Sequence, residues 1–164
     1  MNERPIILLD LNYTQVENCD ENGTLPFPER IQLHRYRQWL VELVKAYRVF
    51  ILTARPTQHE AQTYRHIKES TGWVPERYYG NTHGEPPPLC KQRILREYLL
   101  PEFGADPEGF GAPSPFLGIE SNPRTRTMYA KFFIPSLPCL ELNPQSNLTH
   151  LWRSLATGPL KTSS

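Results

Sequence analysis

A chain of 164 residues and 19.0 kDa has the size of one domain and leaves little room for two independent cores joined by a linker. Its 18 Lys and Arg against 17 Asp and Glu give a net charge of +1, which excludes a generally basic nucleic-acid binder while leaving room for a local basic patch. No apolar stretch is long enough to span a bilayer, and the first residues carry neither the apolar core nor the cleavage site of a secretory signal, so the expectation is a cytoplasmic protein with no membrane partner.

In chain order, short aliphatic runs alternate with longer amphipathic stretches, the pattern of βα units on a mostly parallel sheet. Ile6 to Leu9 is an unbroken apolar run ending at Asp10, as expected for a central strand covered on both faces. Residues 15–29 are polar and turn-rich, too short for a domain, and read as a flap. From Arg30 to Ala46, the residues Ile31, Leu33, Tyr36, Leu40, Leu43 and Val44 fall at helical spacing, which predicts one helix. Val49 to Leu52 predicts the second strand, ending at Thr53-Ala54-Arg55-Pro56. Thr57 and Glu60 then form a capping-box pattern, and Gly72 supplies the stop of the next helix.

Arg77 to Gly80 predicts a short third strand, followed by a polar loop and a helix that carries Lys91 in its first turn and buries Ile94, Leu95, Tyr98 and Leu99. Residues 101–115, rich in Pro and Gly, read as a loop. Phe116 to Ile119 predicts a fourth strand ending at Glu120, and Ser121-Asn122-Pro123 has the form of a helix start, a capping residue before a first-turn proline. Lys131 to Ile134 and Cys139 to Leu142 are the candidates for a fifth strand. Leu148, Leu151, Trp152 and Leu155 outline a closing helix, and 156–164 reads as a frayed tail. The expected whole is a three-layer Rossmann-like α/β sandwich in one domain, residues 1–155, with 17 prolines punctuating its periodic segments.

Three cysteines, Cys19, Cys90 and Cys139, cannot all pair with one another and show no CxxC spacing, which argues against a disulfide framework or a zinc site. Chemistry is expected instead where apolar strands end in polar residues: Asp10 after the first, Thr53 after the second, Glu120 after the fourth. In open α/β sheets ligands bind outside the carboxyl ends of the strands, so these side chains can converge on one crevice with Lys91 from the intervening helix. A single acid after a strand is most often a helix cap or a solvated turn residue; the ordered set carries the reading.

Asp10-Leu11-Asn12-Tyr13-Thr14 resembles the first motif of the haloacid dehalogenase superfamily of aspartate-nucleophile phosphohydrolases. Leu52-Thr53-Ala54-Arg55 resembles its second motif, Lys91 its third, and Gly118-Ile119-Glu120-Ser121-Asn122-Pro123 its acidic fourth, so the resemblance runs from about residue 5 to residue 134. Within it, Thr53-Ala54-Arg55, Tyr64-Arg65 and Thr71-Gly72-Trp73 are similar to the phosphatase module of polynucleotide kinase–phosphatases. The resemblance implies a Mg2+-dependent phosphatase that hydrolyses a phosphomonoester, at a nucleic-acid end or on a nucleotide, through an aspartyl phosphate on Asp10. It implies Mg2+ held by Asp10, the backbone carbonyl at Asn12 and Glu120. It also implies a phosphate bound by Thr53, Ala54, Arg55 and Lys91, and a minimal flap in place of a cap domain.

Two positions depart from that pattern. Asn12 stands where the family's phosphatases place a second Asp as acid and base, and a carboxamide cannot exchange a proton near pH 7. The expected outcome is turnover weakened by about 10² to 10⁴-fold, an acid recruited from elsewhere such as His34 or His83, or a module that binds a phosphorylated ligand or protein partner without hydrolysing it. Glu120 stands where many relatives carry Asp, often with another Asp at the position of Ser121, which predicts weak metal binding. For the substrate, Arg55, Arg65, Lys68, Arg77, Arg93, Arg124 and Arg126 with Tyr64, Tyr78, Tyr79 and Trp73 could line a rim that binds a phosphate backbone and stacks on a base. The plain reading of the same residues is a charged surface over core aromatics.

Overall fold

Four consecutive buried aliphatic residues, Ile6–Leu9, form β1 at the centre of the sheet. The computed structural model describes residues 4–104 and 106–157; the first three residues and most of the expected C-terminal tail, 158–164, lie outside the described residues. Beside β1 run β2 (Val49–Pro56), β3 (Arg77–Asn81), β4 (Phe116–Ile119) and β5 (Ser136–Leu137). The five strands are all parallel, in the order β3-β2-β1-β4-β5. Parallel neighbours need crossover connections, here made through helices, and an all-parallel sheet is covered on both faces.

Side-chain alternation along the strands builds two cores. Ile7, Leu9, Val49, Ile51, Leu117 and Ile119 point to one face and pack against α2 (Gln38–Val44), α3 (Glu60–Thr71) and α7 (Leu148–Thr157). Ile6, Leu8, Phe50, Leu52 and Phe116 point to the other, against α4 (Pro87–Ile94), the turn of π-helix that continues it into α5 (Leu100–Phe103), and α6 (Pro123–Lys131). The result is a Rossmann-like three-layer sandwich. Gly118 lets it close: a Cβ there would stand 2.9 Å from the Ser136 Cβ and 3.1 Å from the Tyr129 ring, so only glycine allows α6 and β5 to approach β4 this closely.

The helix expected over 30–46 is two helices, α1 (Phe27–Gln32) and α2, separated by an extended stretch. The cause is non-local. Val16 makes an antiparallel bridge to Tyr36, Arg37 N–H donates to the Gln15 carbonyl at 2.8 Å, and the Asn18 side chain accepts from Arg35 N–H at 2.7 Å and donates to the Leu33 carbonyl at 2.9 Å. These contacts take over the backbone groups that a continuous helix would have paired. They also bury Gln15, Val16, Asn18 and Cys19, while residues 20–26 of the turn-rich segment stay exposed.

Three further boundaries differ. β2 continues four residues past Leu52, to Pro56. The Thr57–Glu60 capping box does not form: a 3-10 turn, Thr57–His59, leads into α3 with no side-chain cap. Neither candidate fifth strand forms, because residues through Lys131 stay helical and Cys139–Glu141 is a 3-10 turn. The strand lies between them at Ser136–Leu137, where Gly118 N–H donates to the Pro135 carbonyl and Glu120 N–H to the Leu137 carbonyl; the prolines on either side, at 135 and 138, have no N–H with which to extend it. Asn122 caps α6 as expected, accepting from Arg124 N–H at 2.9 Å, and Gly72 ends α3 in the left-handed conformation.

Candidate active site

The strand order reverses between β1 and β4, and ligands of open α/β sheets bind at such a switch point. Leu9 pairs with Ile119, and Asp10 N–H donates to the Ile119 carbonyl at 3.0 Å, so Asp10 and Glu120 leave their strands side by side. Both continue the alternation that carries Leu8 and Phe116 toward α4. Lys91 reaches them from that helix: its Nζ donates to Asp10 Oδ1 at 2.8 Å and to Glu120 Oε2 at 2.7 Å. The ammonium is 1 % exposed, Glu120 1 % and Asp10 7 %.

The second Asp10 oxygen is held as firmly. Oδ2 accepts from the Thr14 hydroxyl at 3.0 Å and from the Ser121 hydroxyl at 2.9 Å, and Ser121 Oγ also lies 3.2 Å from the Asn12 carbonyl. Arg126 fixes the chain behind Glu120 by donating to the carbonyls of Glu120 and Ser121, each at 2.9 Å. Thr14 belongs to the first motif quoted above, but the roles of Ser121 and Arg126 depend on the path of the loop after β4 and leave no spacing signal.

Thr53 sits on the other side of the alternation. Fully buried, its hydroxyl accepts from Arg55 N–H at 3.1 Å, and among the described residues it makes no hydrogen bond to Asp10 or Lys91. Ala54 is half-buried at the same strand end, where its carbonyl accepts from Asn81. The Arg55 guanidinium is buried and donates to Asn12 Oδ1 and Thr63 Oγ1, both at 2.9 Å, lies 3.4 Å from His34 Nδ1, and stacks under Phe27 at 5.0 Å. Its Nε has no partner, and no carboxylate pairs with it among the described residues.

Electrostatics divides the site in two. Two carboxylates share one ammonium, so the Asp10, Lys91 and Glu120 cluster carries an excess negative charge out of water. Burial, reinforced by the neighbouring Asp10 charge and opposed by Lys91, pushes the Glu120 carboxyl up to about 7. Burial alone would push the Lys91 ammonium down, but Asp10 and Glu120 outweigh it and hold it above its ordinary value. On the Arg55 side, burial pushes the guanidinium below its usual range. Burial and the Arg55 charge push His34 down to about 4, so its ring is neutral at pH 7. His34 is one residue removed from Asn12, and His83 sits on an exposed loop against Thr82 and Glu85. Neither touches Asp10.

The two hard oxygens Asp10 Oδ2 and Asn12 O, which share one hydroxyl, suit a divalent cation such as Mg2+. Among the described residues no group of three or more His, Cys, Asp or Glu side chains is placed to hold a metal ion, so backbone and hydroxyl oxygens would have to complete the set.

The expected basic rim is largely occupied. Arg77 is paired with Glu102, Arg93 with Glu85 and Glu97, and Arg55 and Arg126 are committed inside the site. Of the aromatics, Tyr78 and Trp73 pack against one core and Tyr79 against the other, which leaves Tyr64 exposed. No helix among the described residues is long and apolar enough to cross a membrane. The chain matches no protein-family profile and no curated protein sequence.

Proposed function

We propose that the chain is a Mg2+-dependent phosphomonoester hydrolase of the haloacid dehalogenase type, with a nucleotide or nucleic-acid end carrying the phosphate, slowed by Asn12 at its proton-transfer steps. The observation that supports this reading best is a lysine ammonium buried between two strand-end carboxylates at the switch point of a parallel sheet. Such a triad holds Asp10 in a fixed orientation, with one oxygen on the Lys91 ammonium and the other on the Thr14 and Ser121 hydroxyls, which is what a carboxylate nucleophile requires.

In the first displacement an Asp10 carboxylate oxygen bonds to phosphorus while the bond from phosphorus to the ester oxygen breaks, its electron pair leaving with that oxygen. In the second, water bonds to phosphorus, the bond to Asp10 breaks, and the carboxylate is regenerated. Lys91 offsets the charge of Asp10 throughout, and the Thr53 hydroxyl would donate to a phosphoryl oxygen. Mg2+, held by Asp10, the Asn12 carbonyl and Glu120, would screen the repulsion between the nucleophile and the phosphate dianion.

Both displacements move a proton. Asn12, whose Oδ1 is tied to Arg55, has none to exchange, and His34 is neutral and held against the same guanidinium. The leaving oxygen must therefore draw its proton from water. Phosphate release from a nucleoside monophosphate, measured with Mg2+, is expected to be slow for this chain, faster by about 10² to 10⁴-fold for Asn12→Asp, and absent for Asp10→Asn. If neither this chain nor Asn12→Asp releases phosphate from any ester tried, the hydrolase reading fails. The same absence of an acid favours one second reading, a module that binds a phosphorylated ligand without turning it over. A ligand that binds and is never hydrolysed, even by Asn12→Asp, would select it.

A further inference from the structure

We infer that the cavity between the end of β3 and α4 is the subsite for the base of the substrate, and that it takes a nucleobase bearing an amino group; this rests on the phosphomonoesterase reading above. The cavity, of about 150 Å³, lies at the carboxyl end of the edge strand of the sheet, lined by Tyr79 and Asn81 of β3 and by Cys90, Arg93 and Ile94 of α4.

Its place relative to Asp10 follows from the strand register. Leu9 pairs with Ile51 and Leu52 with Tyr79, so Asp10, Leu52 and Tyr79 stand at one level on three neighbouring strands. All three face α4: Leu52 and Tyr79 pack in the core beneath that helix, and Asp10 reaches Lys91. Strands lie about 4.8 Å apart, which sets the Asp10 and Tyr79 backbones roughly 10 Å from each other. The span from phosphate to base in a nucleoside monophosphate is of that order, and glycerol phosphate falls short of it. Two contacts tie the cavity to the strand end between them: Cys90 Sγ lies 3.7 Å from the Thr53 carbonyl, and the Asn81 side chain donates to the Ala54 carbonyl at 3.2 Å.

One wall is aromatic. The Tyr79 and Tyr98 rings both line the cavity, with centroids 5.3 Å apart. Tyr98, expected from its spacing to be buried, is 50 % exposed on the turn of π-helix after α4, a feature frequent at functional sites. At about 150 Å³ the cavity is half the roughly 300 Å³ at which pockets for whole small molecules begin, so it has room for one planar ring and not for a complete nucleotide. The polar lining chooses among rings. Glu60, Glu85 and Glu97 line it with Arg93, which pairs with Glu85 and Glu97, while the half-buried Glu60 makes no side-chain hydrogen bond or ion pair among the described residues. An ionised carboxylate only accepts. The amino group of cytosine donates to it, whereas the uracil carbonyl at the same place sets oxygen against oxygen.

Calorimetric binding of cytidine monophosphate, uridine monophosphate and glycerol phosphate, in Mg2+, tests this with the intact chain, Tyr98→Ala and Glu60→Gln. Glycerol phosphate reaches the phosphate site alone, so its retained binding shows that each variant is folded. In the intact chain the cytidine nucleotide is expected to bind about tenfold or more tighter than either other ester. Tyr98→Ala should weaken the cytidine nucleotide by about tenfold and leave glycerol phosphate unchanged, and Glu60→Gln should bring the two nucleotides toward equal affinity. Cytidine nucleotide binding that is unchanged in Tyr98→Ala, or no tighter than that of glycerol phosphate in the intact chain, overturns the base subsite while leaving the phosphate site standing. Equal affinity for the two nucleotides in the intact chain, or a preference unchanged in Glu60→Gln, overturns the recognition of the amino group. If no phosphate ester binds at all, the phosphomonoesterase reading falls, and this inference with it.

Discussion

At the scale of single residues, buried charge sets the behaviour of the site. Glu120 titrates near 7 in the folded chain against an ordinary value of 4.5, so between those pH values the folded state holds a proton that the unfolded state has released, and stability falls as pH rises through that window. His34 acts in the opposite sense: held near 4 against an ordinary 6.5, it leaves the unfolded state with the extra proton, and its contribution is lost as pH falls from 6.5 toward 4. The two slopes oppose each other over most of the acid range, and Glu120→Gln isolates one of them. Urea unfolding across pH should give a stability difference, unmodified chain minus Glu120→Gln, that declines from pH 4.5 to 7 and is level above it; a difference flat throughout contradicts the burial argument. The Arg55 guanidinium, buried without a carboxylate partner, makes a related demand. Asn12→Asp would supply one, and should gain about 1 kcal/mol or more at pH 7 besides its gain in turnover, since hydrogen bonds to charged partners exceed neutral ones. Loss of stability in that variant would mean that residue 12 is not the acceptor Arg55 is built around.

At the scale of elements, local signals succeeded where structure is local. Unbroken apolar runs marked β1, β2 and β4, the Asn122-Pro123 pair marked the start of α6, and Gly72 marked the end of α3. They failed at 33–37, where apolar residues at helical spacing lie in an extended stretch. Val16 and Asn18, far away in sequence, claim its backbone groups, and no window over 30–46 contains them. Asn18→Ala would take away the side-chain partner of the Leu33 carbonyl and the Arg35 N–H; both residues are exposed, so water can replace it, and each lost hydrogen bond costs about 0.5–1.5 kcal/mol. A fall in the urea midpoint of that size, with the far-ultraviolet spectrum otherwise kept, is the expected result; an unchanged midpoint would show that the break between α1 and α2 does not depend on Asn18. The fifth strand was missed for a related reason. Its two residues were selected by pairing with β4 between two prolines, not by any apolar run of their own.

At the scale of the molecule, the parallel register converts sequence order into a site. Because Leu9 pairs with Ile119, the residues that follow must emerge together, and alternation turns both toward the helix that carries Lys91. That much was legible, since it needs only strand ends and their order. The Thr53 hydroxyl accepts from Arg55 N–H and, among the described residues, makes no hydrogen bond to Asp10 or Lys91, and the supporting roles of Ser121, Arg126 and Thr63 follow from loop paths and helix placement that no spacing encodes. The central claim is that Asp10 is a nucleophile toward phosphorus, and acetyl phosphate tests it most directly, because its leaving group needs no protonation and so bypasses the defect at Asn12. The chain is incubated with acetyl phosphate and Mg2+, quenched in acid, digested and mapped by mass spectrometry. The account predicts one added phosphoryl group on the peptide containing Asp10, persisting because water is poorly activated, and absent from Asp10→Asn. An unlabelled Asp10 peptide, or a label that survives Asp10→Asn, would contradict it.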